Sequence, residues 1–485
     1  MMDTPCQPSP GEVWDAELCI VGAGYAALNG LNVAAKYLKK GERVAVIDKN
    51  DTWGGQWIHQ YDFVRLHQPY RMFTAGDQKW TLDRDPSYLA TRREVMDHLL
   101  SIPAVSAGHL QIRPLFGHRY TGHRIRDGRA EVDAVPVGTG TAAGRTVRIR
   151  ARRLLKATGA DIEMLPPFQL SSAKVRSVSV SDPVLQTAEF LESSAPVYII
   201  GGGKTAMDTV GHVLAQSRTR RALHLILGSG MWFFVRDNSY PSGLGRYTRG
   251  SVAGDALLHI AQMFDGTNEA DVMAALEREG MVMSIFGPGG NCRNGLLSLA
   301  ERDGIRAGVT EVHRAHLVDV DGTRMILREG AGRREVSVAE DSWFVNCTSH
   351  LRQFPHEPIL QDSGITCAPQ FALGFTGTSA YFVSHLWFRN KLAAVAPELF
   401  RVRLDVEPKL RFAPQVAVMV LANMVLASAH LPPSIPMMFE GDVNKWYPVH
   451  RQIRAIARII AARKEILDKA ERLLNQRFSD APEFD

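Results

Sequence analysis

The sequence predicts an α/β protein built from two similar βαβ units and closed by a helical C-terminal tail. An apolar run, Glu17 to Val21, leads through a glycine turn into a helical pattern ending near Leu38, and a second apolar run follows at Arg43 to Ile47. The same order returns 179 residues later: Pro196 to Ile200, a glycine turn, a helical pattern towards Gln216, then Ala222 to Leu227. Near the end, Gln415 to Ala429 and Lys445 to Asn475 both read as helices, parted by the proline-rich break Leu431 to Pro436.

A chain of 485 residues has room for about two to four domains and needs no covalent staples. Its 45% apolar and 22% charged residues match an ordinary globular composition, which excludes a disordered or channel-forming protein. The cysteines (Cys6, Cys19, Cys292, Cys347, Cys367) form no CxxC pair, so neither a disulfide framework, a dithiol centre nor a thiolate zinc site is expected. No HExxH or GxSxG occurs, so a metal-dependent or triad hydrolase is unsupported. The first residues lack the basic and apolar regions of a secretory signal. The longest apolar run falls short of the ~20 residues that span a bilayer. The expected location is therefore cytoplasmic.

The net charge is +5, and the segment 445–475, with eight Lys or Arg and three acids, accounts for all of it. There Ile453, Ile456, Ile460, Leu467 and Leu474 read as one side of a long helix, with steps of seven between 453, 460, 467 and 474 that suit packing on a body or partner helix. The plain reading is a solvated basic face on a docked helix. The other is a peripheral contact with an anionic membrane or a protein partner. No basic stretch is interleaved with aromatics, so no nucleic-acid partner is expected.

In the first unit, Gly22 permits the tight strand-to-helix turn, Gly24 lets backbone approach a pyrophosphate, and small Ala27 allows close packing of helix on strand. The helix N-terminus offers unpaired N–H groups to phosphate. Asp48 ends the second strand, 24 residues after Gly24, where a carboxylate takes two ribose hydroxyls. Together these mark a Rossmann-like dinucleotide site. The second unit has Gly201, Gly203, Lys204 and Thr205 in the same places, but its second strand ends in Gly228-Ser229 and not in an acid. A 2′-phosphate would not be repelled there, and Lys204, Arg220, Arg221 and Arg236 are the candidate cations. That favours NADPH, with NADH as the alternative if these arginines are ordinary surface residues. Two such sites point to a flavin, FAD, and a nicotinamide.

Further along, Leu115 to Val135 alternates like an antiparallel meander turned at Asp127-Gly128, and Arg145 to Leu155 runs into Ala157-Thr158-Gly159. Cys347-Thr348-Ser349 looks like a matching return in the second unit. With Gly22 to Gly30, Gly54-Gly55-Gln56-Trp57, Ala157 to Gly159 and Gly201 to Ala206, the chain resembles the flavin-containing monooxygenase superfamily, over about residues 14 to 395. The resemblance implies an FAD-binding domain from 1–165 and 340–400, an NAD(P)H-binding domain at 166–339 with an insertion at about 238–308, and a helical extension at 401–485. It also implies that Gly55, Gln56 and Trp57 lie beside the flavin, that Tyr61 to Pro69 passes its ring, and that Thr158, Gly159, Gly377 and Thr378 border the cofactor. One departure is plain: Gln169 to Asp182 lacks the glycine and histidine of the family's F-x-G-x-x-x-H fingerprint.

By the same resemblance, NADPH reduces FAD, and reduced FAD takes O2 to a peroxide at ring carbon C4a that oxygenates a small molecule at nitrogen, sulfur or carbonyl carbon. Arg65, His67 and Gln68 are the candidates to stabilise charge at the ring, and for His67 the other reading is a satisfied histidine bonding backbone. The competing functions are an NAD(P)H-dependent flavin reductase or dehydrogenase and a flavin-binding scaffold or sensor. The 238–308 insertion, holding Cys292, reads equally as a roof over the site or as scaffold.

Overall fold

A computed structural model describes residues 13–138, 146–159, 162–351, 357–402, 412–474 and 476–478, without the side chains of 162–164, 349–351 and 412. Cys6 lies outside the described residues. The first unit runs β1 (Val13–Val21), α1 (Tyr25–Tyr37), β2 (Arg43–Ile47), α2 (Arg92–Ala107) and β3 (Gln111–Leu115). β1 pairs in parallel with β2, and β2 with β3. Leu18 to Val21 are buried throughout, because a parallel strand covered on both faces must be apolar on both. The hairpin β4 (His118–Arg126) and β5 (Arg129–Pro136) turns at Asp127 and Gly128, with φ of 51° and 68°. Two consecutive positive φ values are what a tight twisted hairpin requires. β6 (Val147–Lys156) then returns parallel to β1 on its free side. The order is β3-β2-β1-β6, and the far edge of β6 is shared by β5 and the later strand Thr366–Cys367.

The second unit repeats the plan. β7 (Arg176–Ser179) and β8 (Val197–Ile200) lead into α3 (Lys204–Gln216) and β9 (Leu223–Ile226). α4 (Ala253–Met263), α5 (Glu269–Arg278), β10 (Cys292–Leu297) and α6 (Leu299–Gly308) intervene before β11 (Glu311–His313) and β12 (Trp343–Asn346). The five parallel strands lie in the order β11-β9-β8-β12-β7. In both sheets the unit's first strand stands between its second strand and a returning strand, so the strand order reverses at the glycine turn. Ligands of open α/β sheets bind at the carboxyl ends of the strands at such a point.

The third layer is helical: α7 (Thr376–Phe388), α8 (Phe412–Ser428), α9 (Val449–Ala461) and α10 (Arg463–Leu474). Leu258, Phe264 and Met273 of the inserted segment share one core with Val418 and Leu421 of α8 and with Ile466 and Ala470 of α10. Each large side chain fully buried there contributes about 1.5–3 kcal/mol, so α4 and α5 are anchored in this core. α8 is the most apolar helix but has 17 residues and is largely buried. No described helix is long and apolar enough to cross a membrane.

The single long basic helix expected at 445–475 is instead two helices, broken at Ala462. Ile453 and Ile460 are exposed while Leu467 and Leu474 pack against the core, so the steps of seven do not trace one buried side. The two halves rest on different supports. Ala455 faces Gly254 of α4, whereas Ile466 and Ala470 join the core around α8.

Candidate active site

At the first unit's switch point the glycine turn is held from both sides. Gly22 donates its N–H to Ile47 O at 2.8 Å, and Ala157 donates to Val21 O at 2.8 Å. Gly22 has φ +104°, and a Cβ there would lie closer than 3.0 Å to Ala157 O. The second unit has the same contact: a Cβ on Gly201, at φ +134°, would come 3.0 Å from Cys347 O. Ala157-Thr158-Gly159 and Cys347-Thr348 therefore occupy equivalent turns. Asp48 stands at the tip of β2, where Oδ2 accepts the N–H of Ala23 at 2.6 Å and Oδ1 that of Asn50 at 2.8 Å. Each oxygen keeps a further lone pair for a hydroxyl donor.

The helix ends distinguish two groups. α1, α3 and α7 begin at Gly24, Gly203 and Phe375 with no side-chain cap and no acid in the first turn. α2 and α6 begin with full capping boxes, Thr91 with Glu94 and Ser298 with Glu301. Bare N–H groups at the positive end of a helix suit an anion. A small cavity at the carboxyl end of β6 is lined by Ala26 of α1, Thr376 of α7, Lys156, Thr158, Gly159 and Glu357. Lys156 and Glu357 form an ion pair there. A Cβ on Gly24 would meet Gly55 Cα at 3.2 Å, so the Gly54-Gly55 turn lies directly over the glycine loop. Glycine loop, uncapped helix and fixed acid together fit a dinucleotide such as FAD. The second glycine turn with α3 fits a nicotinamide dinucleotide.

The two units are joined by the segment after this turn. Tyr61 donates its hydroxyl to Asp208 of α3 at 2.7 Å, and Phe63 stacks on His212 with ring centroids 4.1 Å apart. His67 Nδ1 accepts the N–H of Leu296 in β10 at 3.0 Å, and His67 O accepts from Arg236 Nη1 at 3.3 Å. Burial first, then the charges of Lys204 and Arg236, push the His67 imidazole down to about 3. It is neutral, and with Nδ1 occupied as acceptor, Nε2 carries the proton. Beside it, Gln68 Oε1 is buried with no hydrogen-bond partner among the described residues. An orphaned acceptor of this kind is costly unless a ligand donates to it.

The other expected site residues scatter more widely. Lys204 is ion-paired with Asp208 one turn along α3, and Arg236 with Glu301. Thr205 gives its carbonyl to Thr209 Oγ1 at 2.9 Å. Arg65 is exposed, donating to Leu89 O at 3.0 Å, so it stabilises the surface loop and does not join His67. Arg220 is exposed before the amino end of β9, opposite the glycine turn, and Arg221 is folded over the Phe190 ring, donating to Phe190 O. Neither reaches the carboxyl edge of that sheet. Gln56 is exposed, and Trp57 is buried edge-on to Phe73 at 5.5 Å. A Cβ on Gly377 would run into the Tyr25 ring, so this glycine, with Thr378 half-buried after it, lets α7 close on α1. Ala27 is buried in the same core as Leu155 of β6.

Several residues escaped the sequence reading. Asp208 had a signal, an acid four positions after Lys204 on one helix face. Leu296, Glu357 and Arg314 had none. Arg314 follows β11 at the carboxyl edge of the sheet, reaches over Gly230, and donates to Phe286 O and Pro288 O. β10 of the insertion borders the site through Leu296, whereas α4 and α5 do not. Where the missing fingerprint would lie, Ser171 bonds Asp319 and Ser172 bonds Gly322 O, so that stretch is strapped to the antiparallel strands His316–Asp321, Arg324–Glu329 and Gly332–Ser337 that follow β11.

No protein-family model matches the chain. An uncharacterised protein of Mycobacterium tuberculosis is 25% identical over 416 residues, covering 80% of this chain and 70% of that protein. Among solved structures, the polycyclic ketone monooxygenase of the fungus Thermothelomyces thermophila is similar with a TM-score of 0.54 at 12% identity, over 96% of this chain and 90% of that one. A flavin monooxygenase from Stenotrophomonas maltophilia is similar with a TM-score of 0.48 at 16% identity, over 79% of this chain and 99% of that one. The fungal enzyme carries a conclusion about fold alone: this chain shares its α/β architecture.

Proposed function

We propose that this chain, having the fold of the flavin-containing monooxygenase superfamily, is an FAD- and NADPH-dependent enzyme that oxygenates a small organic molecule with O2. The observation that carries the reading is the Tyr61 to Pro69 segment. It leaves the first glycine site, docks on α3 through Tyr61 and on β10 through His67, and carries next to His67 a Gln68 whose buried Oε1 has no partner among the described residues. Bound at these sites, the flavin supplies hydride acceptance from the nicotinamide and activation of O2.

The chain's residues bind and orient. Gly22, Gly24 and the N–H groups opening α1 hold the FAD diphosphate, and Asp48 holds its ribose. Gly201, Gly203 and the start of α3 hold the NADPH diphosphate. Arg314, at the carboxyl edge of β9 and β11, already donates to Phe286 O and Pro288 O, and its charge and remaining N–H are offered to a 2′-phosphate in place of Arg220; on this reading NADPH is preferred to NADH. Neutral His67 keeps one N–H to donate, and Gln68 offers an acceptor to a ring amide. The substrate centre, nitrogen, sulfur or carbonyl carbon, is left open. A reductase without oxygenation is the second reading, favoured by the Ser171–Asp319 strap where the family fingerprint would stand.

Stopped-flow absorbance tests the proposal. The protein is reduced by NADPH without oxygen, then mixed with oxygenated buffer. The expected result is a blue-shifted band that persists before the oxidised flavin spectrum returns. Direct return with and without candidate amines, sulfides and ketones means a reductase. No reduction by either nicotinamide leaves only a scaffold.

A further inference from the structure

Helix α9 presents an apolar stripe to solvent. Val449, Ile453, Ile456 and Ile460 are 67, 60, 56 and 57% exposed. Steps of four, three and four residues put them on one helix face, along about 16 Å of axis at 1.5 Å per residue. Single exposed apolar residues need no explanation, but a continuous row of four β-branched side chains marks an interaction surface.

The stripe sits on a rigid support. On the docked side, Ala455 is buried, and a Cβ on Gly254 of α4 would meet Ile459 Cδ1 at 3.1 Å. Arg451 donates to the carbonyls of Arg246, Arg249 and Gly250, which fixes the start of the helix to a loop that also exposes Leu244 and Tyr247.

Charge identifies what covers it. α9 carries three cationic residues, Arg451, Arg454 and Arg458, and no acid, and Arg463 and Lys464 open α10 just before exposed Glu465. Arg451 is spent on carbonyls and Arg458 reaches Asp255 at 3.4 Å. Arg454, Arg463 and Lys464 are exposed and have no ion-pair partner among the described residues. A second copy of the same face would set cations against cations around the apolar contact. An anionic surface with an apolar layer beneath it satisfies both features at once.

We propose that α9 seats the protein on an anionic lipid surface. The helix lies in the plane of the headgroups, with Val449, Ile453, Ile456 and Ile460 immersed, and with Arg454 of α9 and Arg463 and Lys464 at the start of α10 against the lipid phosphates. This inference is independent of the oxygenase reading.

The test is co-sedimentation of the full chain with phosphatidylcholine vesicles, with and without phosphatidylglycerol. Binding is expected only with phosphatidylglycerol, and weaker at high salt, since exposed charges are screened. The pair Ile453→Asp with Ile456→Asp places two anions in the stripe and should lower binding by roughly tenfold or more. Both positions are exposed, so the melting temperature should hold. Arg454→Glu with Lys464→Glu should weaken binding without removing an apolar contact. Absence of binding to anionic vesicles, or binding that the isoleucine pair leaves unchanged, overturns the proposal. So does a concentration-dependent dimer that the isoleucine pair makes monomeric, because the stripe would then be an interface between copies.

Discussion

Gly22→Ala concentrates the steric logic of the first site in one methyl group. Gly22 has φ +104°, and the new Cβ would lie closer than 3.0 Å to the carbonyl oxygen of Ala157, a backbone atom that cannot rotate away. Holding an alanine at such a φ costs about 1–3 kcal/mol. Overpacking against a fixed neighbour costs a further ~1–3 kcal/mol. The total of about 2–6 kcal/mol falls on the turn that aims the N–H groups of α1. Even its lower end, about 2 kcal/mol, is roughly thirtyfold in the dissociation constant of a flavin held there. Gly203→Ala is the internal control, because its Cβ would make only an ordinary contact, 3.6 Å from Met231 Cε, at φ −86°. It should change stability by less than about 0.5 kcal/mol. The assay is the ratio of flavin to protein absorbance after purification, followed by thermal unfolding. Gly22→Ala should emerge largely colourless and melt lower, and Gly203→Ala should stay yellow while its apparent KM for NADPH rises. A fully yellow Gly22→Ala protein that melts with the wild type would refute the reasoning.

Two further expectations concern the junction. His67, with a usual value near 6.5, is held down to about 3 by burial and then by Lys204 and Arg236. Between those values the unfolded chain binds the extra proton, so stability is fully present above pH 6.5 and declines as pH falls towards 3. His67→Gln, which keeps an acceptor for Leu296, should flatten the decline in melting temperature between pH 7 and pH 5, and an unchanged slope counts against it. Asp208→Asn removes the anion shared by Lys204 and Tyr61 while keeping its shape. Because the pair is partly exposed, the loss should be about 1–2 kcal/mol in urea unfolding. Tyr61→Phe should add little to it if the three groups act as one unit, and full additivity would separate them.

The missing acid after β9 is legible in the sequence, and the proposed preference for NADPH rests on it; which cation stands near that strand end is not legible. Arg220 and Arg314 look alike in sequence, each an arginine beside a short apolar strand. Parallel strands place ligands at their carboxyl ends, so Arg314, after β11, stands where Arg220, before β9, cannot. In sequence Lys204 and Arg236 are candidate cations for a 2′-phosphate, and the fold pairs them with Asp208 and Glu301. In the tail, a period of seven from Ile453 to Leu474 promised one packed side. The break at Ala462 lets each half follow its own support, which leaves Ile453 and Ile460 in solvent.

What the sequence by itself determined is everything set by local geometry: strands apolar on both faces, turns that only glycine fits, Asp48 at a strand end, and the hairpin at Asp127-Gly128. Those features depend on neighbours a few residues apart, so the pattern is written within each segment. The tertiary structure alone decided which distant groups meet: His67 with Leu296, Tyr61 with Asp208, and the Gly22 turn with Ala157. It also decided that Arg65 faces water while the Oε1 of half-buried Gln68 is enclosed. Contacts across tens to hundreds of residues follow from how sheets and helices pack, and no periodicity records them.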